Sequence, residues 1–433
     1  MKIAYFLRSL DLIFSREKEY EIFPVCPENS EEMRVAKTEL KLGNVIPIKL
    51  NKKGLNFSEL KGDAVLKNSD LTQQLKKYKI NCLFLRNSTP YIKNWGDRNK
   101  IIILSPPYQL REKFENKIYF EKLLRKSGLA RLKSEVLNSK KTLIPFPKTV
   151  VQSPTSTGGE GTFVVSTQNS FEKVLQKLPL PLLAREYKDG LPLSSSIFIK
   201  DKKVHLTGVE RQCYLKAREE NGVGLFIGIQ WLPYNFFLPR IYKNIERDLL
   251  EIGANLEKFG LSGLINLDFV LDKKGHVNFI ECNPRIACAT NQIMAVKKLS
   301  NGKNFLNLLL SHYVKSFKYE PRAPGERLPK SLFAGAQMFV SFPDFVRFNK
   351  KIKRSRPGGF FVLENGALKK IKLENRFDFL KLKNGLFFYN ETNEGENYKK
   401  TIDVGTVLSN FPLYDTMTGN LNSNGKIVYD FFH

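Results

Sequence analysis

The sequence has 433 residues, of which 42% are hydrophobic and 26% are charged. This length and mixture predict two or three folded domains, and they exclude a disordered chain and a disulfide-stabilised miniprotein. Lysine and arginine number 70 against 43 aspartate and glutamate, which gives a net charge of +27 and is compatible with an anionic ligand. Because the lysines are spread along the whole chain, charge alone does not predict a nucleic-acid partner.

Three features of the sequence bear on its compartment. The five cysteines form no Cys-x-x-Cys pair and are odd in number, which favours reduced thiols. Arg8, Asp11 and Arg16 interrupt the N-terminal segment, so no signal-peptide core is predicted. No apolar run reaches the roughly 20 residues that a membrane span needs. We therefore expect a cytoplasmic protein with no membrane partner.

Short apolar strands alternate with charged helical segments in the first part of the chain. Strands are predicted over residues 2–7, 45–48, 82–85 and 101–104, and helices over residues 30–40 and 68–78. The Pro106-Pro107 pair ends this pattern, since consecutive prolines continue neither a helix nor a central strand. The alternation is typical of an α/β unit, and we predict an N-terminal α/β domain over residues 1–112.

A glycine-rich loop lies near the start of the middle segment, residues 113–325. A helix over residues 117–128 precedes the loop, strands over 148–152 and 162–166 flank it, and a helix over 170–177 follows. Glycines in such a loop let the main chain approach a phosphate closely. The loop is not a P-loop, because no Gly-Lys-Ser/Thr follows and a strand leaves it. A flexible hairpin loop is the alternative.

Aromatic strands and turns dominate the sequence after residue 325. Strands are predicted over residues 359–363, 385–389 and 426–431. The pairs Asn365-Gly366 and Asn384-Gly385 are typical of tight hairpins. The basic run over residues 350–356 is interpreted as a solvated loop, with an anionic-substrate site as the alternative. We predict a β-rich C-terminal domain over residues 326–433.

Residues 263–285 are predicted to form a β-hairpin with one polar and one apolar face. A two-residue turn at 273–274 would place Asp268 opposite Phe279. Because side chains alternate along a strand, one face then carries Asn266, Asp268, Glu281 and Asn283. Two carboxylates and an amide on one face are hard oxygen ligands suited to Mg²⁺, whereas a solvated polar face is the alternative.

Taken in order, four segments resemble the ATP-grasp superfamily over roughly residues 115–320. They are Asn116-Lys117 at the start of a helix, the loop from Gln152 to Thr162, the Leu183-Ala184-Arg185-Glu186-Tyr187-Lys188-Asp189-Gly190 segment, and Asn266-Leu267-Asp268 with Glu281-Cys282-Asn283-Pro284-Arg285. The resemblance implies an α/β (α+β) fold of two lobes, preceded by the N-terminal α/β domain and followed by the β-rich C-terminal portion. It also implies ATP and Mg²⁺ (or Mn²⁺) as cofactors.

The resemblance implies roles for particular residues. Asp268, Glu281 and Asn283 would be the metal ligands, and Arg285 would stabilise negative charge on the transferring phosphoryl group. The nucleotide would be bound by residues of the helix start, the glycine-rich loop and the hinge between the lobes: Lys117, Gln152, Ser156, Thr157, Gly158, Gly159, Gly161, Thr162, Glu186, Tyr187 and Lys188. At the hinge, main-chain groups of Glu186 and Lys188 would contact the adenine edge.

Three positions depart from the family pattern. Gln152 stands where the strand before the loop usually ends in lysine, and it adds no charge there. Asn266 stands where relatives of D-alanine ligase often carry arginine, and Pro192 lies near the usual place of an acidic ribose-binding residue. These changes concern the nucleotide and leave the metal-binding set intact.

Gln152 and the strand over residues 204–212 are most similar to amino-acid and peptide ligases of the superfamily. This resemblance implies an ADP-forming carboxylate–amine ligase that forms an amide or peptide bond through an acyl phosphate. Its partners would be a small-molecule carboxylate (an amino acid or peptide) and an amine, with no nucleic acid, and it is compatible with a homodimer. The alternatives are carboxylation or phosphoryl transfer by the same fold, or a catalytically idle protein that binds nucleic acid or a partner through its basic surface.

Overall fold

The computed structural model describes residues 1–6, 12, 20–49, 63–156, 159, 161–215, 224–288, 290–300, 302, 304–320, 327–341, 350–351, 357–390, 397–398 and 403–432. Of the predicted basic run, only Lys350 and Lys351 lie within these ranges. In this part of the chain, no helix has the length and apolar character that a membrane crossing requires. All five cysteines are described and unpaired, as expected for reduced thiols.

A five-stranded parallel sheet forms the N-terminal unit, with the strand order β3-β2-β1-β4-β5. Its strands are β1 (Lys2–Phe6), β2 (Glu21–Pro27), β3 (Ile46–Ile48), β4 (Cys82–Phe84) and β5 (Ile102–Leu104). Its helices are α1 (Glu31–Arg34), continued by a π-helical turn over Val35–Glu39, then α2 (Asp63–Leu66), α3 (Ser69–Lys77) and α4 (Pro90–Asn99). The predicted α/β unit is confirmed, but β2 was not among the predicted strands; it contains two prolines, Pro24 and Pro27, which are unusual inside a strand.

A small antiparallel sheet follows, with the order β6-β9-β7-β8. Its strands are β6 (Ser134–Leu137), β7 (Thr149–Gln152), β8 (Thr162–Val165) and β9 (Leu182–Glu186). Helices α5 (Tyr108–Glu115) and α6 (Lys117–Lys126) precede this sheet, and α7 (Gln168–Lys177) packs on it through Phe171, Val174 and Leu175. The predicted strands around the glycine-rich loop are confirmed.

A large antiparallel sheet of ten strands has the order β14-β13-β10-β11-β12-β15-β21-β19-β17-β18. Its first strands are β10 (Gly190–Lys200), β11 (Lys203–Leu215), β12 (Leu225–Trp231), β13 (Gly263–Asp272) and β14 (Val277–Asn283). Helix α8 (Pro239–Lys258) covers one face with Ile245, Leu249, Ile252 and Leu256, which share one apolar cluster with Ile265 and Leu267 of β13. Burying this apolar face orients the polar face of the hairpin away from α8.

The C-terminal strands extend the same sheet, because β12 pairs with β15. They are β15 (Ala336–Ser341), β17 (Gly359–Glu364), β18 (Ala367–Ile371), β19 (Gly385–Asn390) and β21 (Asp403–Ser409), while β16 (Lys350–Lys351) pairs with β20 (Asn397–Tyr398). The remaining helices are α9 (Thr290–Ala295), α10 (Phe305–Tyr313) and α11 (Ser423–Phe432), with 3-10 turns over Tyr234–Phe236, Lys297–Ser300 and Arg376–Lys381. The three domain boundaries stay a prediction.

Two predictions for the C-terminal part had different outcomes. The Asn365-Gly366 turn is confirmed, with φ of 49° and 76°, and it joins β17 to β18. The strand predicted over residues 426–431 is wrong, because this segment lies in helix α11. Gly425, Val428, Tyr429 and Phe432 are the buried residues of α11, a helical spacing that packs them against one apolar cluster.

Candidate active site

The β13–β14 hairpin carries the polar face expected from the sequence, but in a different register. Asp268 lies opposite Glu281 and Asn266 lies opposite Asn283, so the predicted pairing of Asp268 with Phe279 is wrong. The turn is longer than two residues, because the Asp272 carboxylate accepts the backbone N–H groups of Lys274 and His276. Gly275, with φ of 81°, completes the turn in the left-handed region.

The two opposed carboxylates repel each other, and the effect on Asp268 is large. Burial, followed by the charge of Glu281, raises the pKa of Asp268 to about 8, while Arg285 and Lys117 act in the opposite direction. The Asn283 amide donates to Asp268 Oδ2 at 3.1 Å. Two carboxylates and a carboxamide fit a hard divalent cation, because the cation would relieve the repulsion between the acids. No set of three or more His, Cys, Asp or Glu in the described ranges fits a metal, so Asn283 is needed as the third ligand.

Lys117, the first residue of α6, connects the glycine-rich loop to the hairpin. The Asn116 side chain caps the helix by accepting the N–H groups of Ile118 and Tyr119. The Lys117 ammonium is buried and donates to the Ser156 carbonyl oxygen at 2.7 Å and to Glu281 Oε1 at 3.2 Å. A single cation therefore contacts both segments that the sequence assigns to phosphate and metal binding.

Arg285 lies beside the predicted metal ligands and is held in place by two acceptors. Its Nε donates to Glu115 Oε1 at 2.6 Å, and its Nη2 donates to Asn283 Oδ1 at 3.0 Å. Glu115, the last residue of α5, also accepts from Arg111 at 3.3 Å. These contacts fix the plane of the guanidinium, as charge stabilisation of a transferring group requires.

The glycine-rich loop is described in part. The Ser153 N–H donates to the Gly161 carbonyl oxygen, which closes the base of the loop, and Ser156, Gly159 and Thr162 are also described. Gly161 has φ of 69°, and a Cβ there would lie 2.8 Å from Ser153 Oγ, so the turn needs glycine. Thr157 and Gly158, predicted as nucleotide-binding residues, lie outside the described ranges.

The predicted hinge, Glu186, Tyr187 and Lys188, lies where the small sheet connects to β10. The N–H of Glu186 donates to the Lys133 carbonyl oxygen, and the N–H of Tyr187 donates to the Lys148 carbonyl oxygen. The Lys148 ammonium lies 3.5 Å from the centre of the Tyr187 ring. In the described ranges, the Lys188 N–H makes no hydrogen bond, so at this hinge it is the donor open to a ligand.

Glu210 and Arg185 are buried at the site, but the sequence reading assigned them no role. Glu210 lies on the same row of the sheet as Asp268, with Ser194 between them, and is fully buried. It accepts from the Asn266 amide at 3.3 Å, and burial followed by the charge of Asp268 raises its pKa to about 8. Both residues are charged positions inside apolar strands, which indicates a buried charge. The local sequence does not indicate which residue is its partner.

Comparison with known proteins places these motifs in a family. The profile of the ATP-grasp domain matches residues 114–289. The described region therefore contains the ATP-grasp fold that the sequence motifs imply. No curated protein matches the sequence.

Similar solved structures include carboxylases and a ligase. Biotin carboxylase from Campylobacter jejuni, in complex with β-γ-ATP, is 13% identical with a TM-score of 0.61, covering 98% of this chain and 88% of that one. L-amino acid ligase from Bacillus licheniformis is 12% identical with a TM-score of 0.56, covering 100% and 96%. The biotin carboxylase domain of 2-oxoglutarate carboxylase from Hydrogenobacter thermophilus, bound to MgADP and bicarbonate, is 12% identical with a TM-score of 0.58, covering 95% and 86%. At these identities the likeness establishes the fold.

Proposed function

Because residues 114–289 match the ATP-grasp domain, we propose that the protein is an ATP-dependent, ADP-forming carboxylate–amine ligase. The observation that carries this proposal is the direct opposition of Asp268 and Glu281, with Lys117 joining Glu281 to the glycine-rich loop. This arrangement brings a metal-binding acidic pair and a phosphate-binding cation to the same place. The substrate classes we propose are a small carboxylate, such as an amino acid or peptide, and an amine.

The nucleotide would lie between the small sheet and the hairpin. Lys117, Gln152 and the loop residues Ser156, Thr157, Gly158, Gly159, Gly161 and Thr162 would bind the phosphates, and Glu186, Tyr187 and Lys188 would contact the base. Asp268, Glu281 and Asn283 would hold Mg²⁺, which when bound supplies charge neutralisation at the phosphates. The open N–H of Lys188 supports the hinge assignment.

The reaction requires positioning and charge stabilisation more than a general base. The substrate carboxylate attacks the γ-phosphorus of ATP, and the bond to the β-phosphate oxygen breaks to leave ADP and an acyl phosphate. The amine then attacks the acyl carbon, the bond from that carbon to the phosphate oxygen breaks, and the amine loses a proton. Arg285, held by Glu115 and Asn283, would face the charge that develops on the transferring group.

Carboxylation through carboxyphosphate is a second candidate. It is favoured by the similarity of the fold to two carboxylases. The two candidates share the first step, in which an oxygen of a carboxylate or of bicarbonate attacks ATP. They differ in the acceptor and therefore in the product.

Product analysis tests the proposal. The protein is incubated with MgATP and pools of amino acids, with and without bicarbonate, and ADP, phosphate and new amides are measured by coupled assay and mass spectrometry. The ligase requires all three products together, and the matched control Glu281→Gln should produce none of them. ADP release that depends on bicarbonate and yields no amide would instead identify a carboxylase. ATP binding without turnover in any pool would contradict both candidates.

The five unpaired thiols are consistent with the cytoplasm as the compartment in which the enzyme acts. A homodimer is the assembly we propose to test first, by light scattering.

A further inference from the structure

The Arg185 guanidinium lies where three segments of the site meet. Its Nη1 donates to Gln152 Oε1 at 3.0 Å and to the Ile280 carbonyl oxygen at 2.9 Å. Ile280 precedes Glu281 on β14, and Gln152 is the last residue of β7, from which the glycine-rich loop departs. With 1% of its surface exposed, Arg185 is a buried cation that contacts the base of the loop and the metal hairpin together.

Strand register explains how Arg185 and Gln152 come together. Arg185 on β9 pairs with Val150 on β7, so Gln152, two residues further along β7, is its diagonal neighbour on the same face. A long side chain spans that diagonal. The contact is therefore built into the small sheet and does not depend on the loop.

The charge of Arg185 is directed toward the loop. Glu121 balances it from one side, since Arg185 Nε donates to Glu121 Oε2 at 3.0 Å. Nη1 faces Gln152 and Ile280, and Nη2 is buried without a hydrogen-bond partner in the described ranges. The pair of Arg185 and Glu121 thus forms a buried dipole whose positive end lies behind Gln152.

This contact also orients the Gln152 side chain. Because its oxygen accepts from Arg185, its Nε2 remains as a donor, and this nitrogen makes a long contact of 3.5 Å to Thr162 Oγ1. A carboxamide held in this way presents N–H groups at the base of the loop. Phosphate oxygens are acceptors that such a donor suits.

We propose that Arg185 is a positioning residue for the nucleotide phosphates, acting through Gln152 and supplying the positive charge that Gln152 itself lacks. The inference rests on the proposed function, since it needs a nucleotide in the cleft. In this chain β9 provides the positive charge through Arg185, since no residue of β7 is charged. Arg185 and a lysine at position 152 would be mutually exclusive, because two buried cations would lie within about 3 Å of each other.

A charge-relocation experiment tests this inference. Arg185→Gln, Gln152→Lys and the double variant R185Q/Q152K are compared with the wild type by calorimetric binding of ADP and of adenosine at fixed Mg²⁺. Adenosine serves as the internal control, because it has the base and ribose but no phosphate. We expect R185Q to bind ADP about tenfold more weakly or worse, with adenosine affinity unchanged, and the double variant to recover most of the loss. Q152K alone should lower the melting temperature.

The outcomes separate this inference from the proposed function. If R185Q binds ADP as the wild type does, the inference is wrong and the function stands. If R185Q loses ADP and adenosine affinity equally and Q152K does not restore it, Arg185 is only a structural cross-link, and the inference is also wrong. If the wild type binds neither ligand, the proposed function itself fails.

Removal of Arg185 leaves the buried Glu121 with only one cation, the largely exposed Arg125 at 3.5 Å, which can prevent folding. The background E121Q/R185Q removes both charges and keeps the side-chain volumes. The same comparison is made by adding Q152K to that background, with Glu121→Gln as its single-variant control. Recovery of ADP affinity with Q152K supports the inference, and its absence overturns it.

Discussion

Asp268 and Glu281 lie directly opposite each other across the β13–β14 ladder, next to a bulge at Ile280. The bulge is evident because Asp268 pairs with Glu281 while the next residue, Phe269, pairs with Phe279. It brings the two carboxylates to neighbouring positions, where burial and the charge of Glu281 raise the pKa of Asp268. The metal site that we propose at this point depends on the register of this one ladder.

Lys117 should stabilise the fold through Glu281 as well as bind phosphate. Lys117→Gln removes the partner of Glu281 and leaves two acids facing each other, so we expect the free energy of unfolding to fall by about 1–3 kcal/mol in EDTA. Urea unfolding at neutral pH measures this loss. In the double variant K117Q/E281Q the repulsion is also gone, and most of the loss should disappear. If the stability loss of K117Q/E281Q instead equals the sum of the losses of the two single variants, Lys117 and Glu281 do not stabilise each other.

Arg285 should act on turnover and not on nucleotide affinity. Arg285→Lys keeps the charge but cannot reach Glu115 and Asn283 in the same plane, so we expect kcat to fall about 100-fold or more while the affinity for ATP is kept. Steady-state ADP release with the substrates found by product analysis measures both quantities. Glu115→Gln, which loosens Arg285 without removing it, should give a smaller loss. A change in KM for ATP with kcat intact would assign Arg285 to nucleotide binding instead.

Glu210 should make stability depend on pH. Its pKa is about 8 in the folded protein, against 4.5 for an ordinary glutamate, so the folded state holds a proton that the unfolded state has already lost. The contribution of Glu210 to the free energy of unfolding therefore falls as the pH rises from 4.5 to about 8, and the loss is complete above pH 8.

Glu210→Gln removes this dependence. Between pH 6 and pH 9 in EDTA, the variant should gain about 2 kcal/mol of unfolding free energy relative to the wild type. Glu251→Gln, on the exposed side of α8, is the control and should show no such gain. Parallel pH curves for wild type and E210Q would mean that Glu210 is ionised in the folded protein.

Gly228 should be essential where the C-terminal strands join the large sheet. It has φ of 141°, and a Cβ there would overlap the carbonyl oxygen of Gln337 on the neighbouring strand β15. We expect Gly228→Ala to cost about 3 kcal/mol or more in urea unfolding. Gly260 also has positive φ, 87°, but has open space around it, so Gly260→Ala should cost only about 1–2 kcal/mol. Equal losses of unfolding free energy in G228A and G260A would show that the junction of β12 and β15 tolerates a side chain.

The residues of the site were easier to predict than their register. Alternation along the hairpin placed Asn266, Asp268, Glu281 and Asn283 on one face, and the structure has them there. The turn length was wrong because the Asp272 carboxylate caps the turn, and the sequence does not indicate whether an aspartate will accept neighbouring N–H groups. The longer turn shifted the pairing by one residue, and the bulge at Ile280 shifted it by one more from Asp268 onward.

Contacts between distant strands could not be predicted from local patterns. Arg185 appears in the sequence as one charge in an apolar strand, and nothing nearby indicates that β9 inserts between β6 and β7. The same limit applies to Glu210, whose row on the sheet depends on the pairing of β10 with both β11 and β13. In α11, local apolar content predicted a strand, whereas packing against the end of the large sheet selected the helical spacing.

The most direct test of the nucleotide–metal site is the thermal shift of the wild type and of Asp268→Asn on adding ATP, with and without Mg²⁺. A ligand that binds only the folded state raises its melting temperature. We predict a rise in the wild type that requires Mg²⁺ and is lost in D268N, while the two proteins melt at similar temperatures without ligand. No shift in the wild type at millimolar ATP and Mg²⁺ would contradict the account, and a shift that D268N keeps in full would contradict the assignment of Asp268 as a metal ligand.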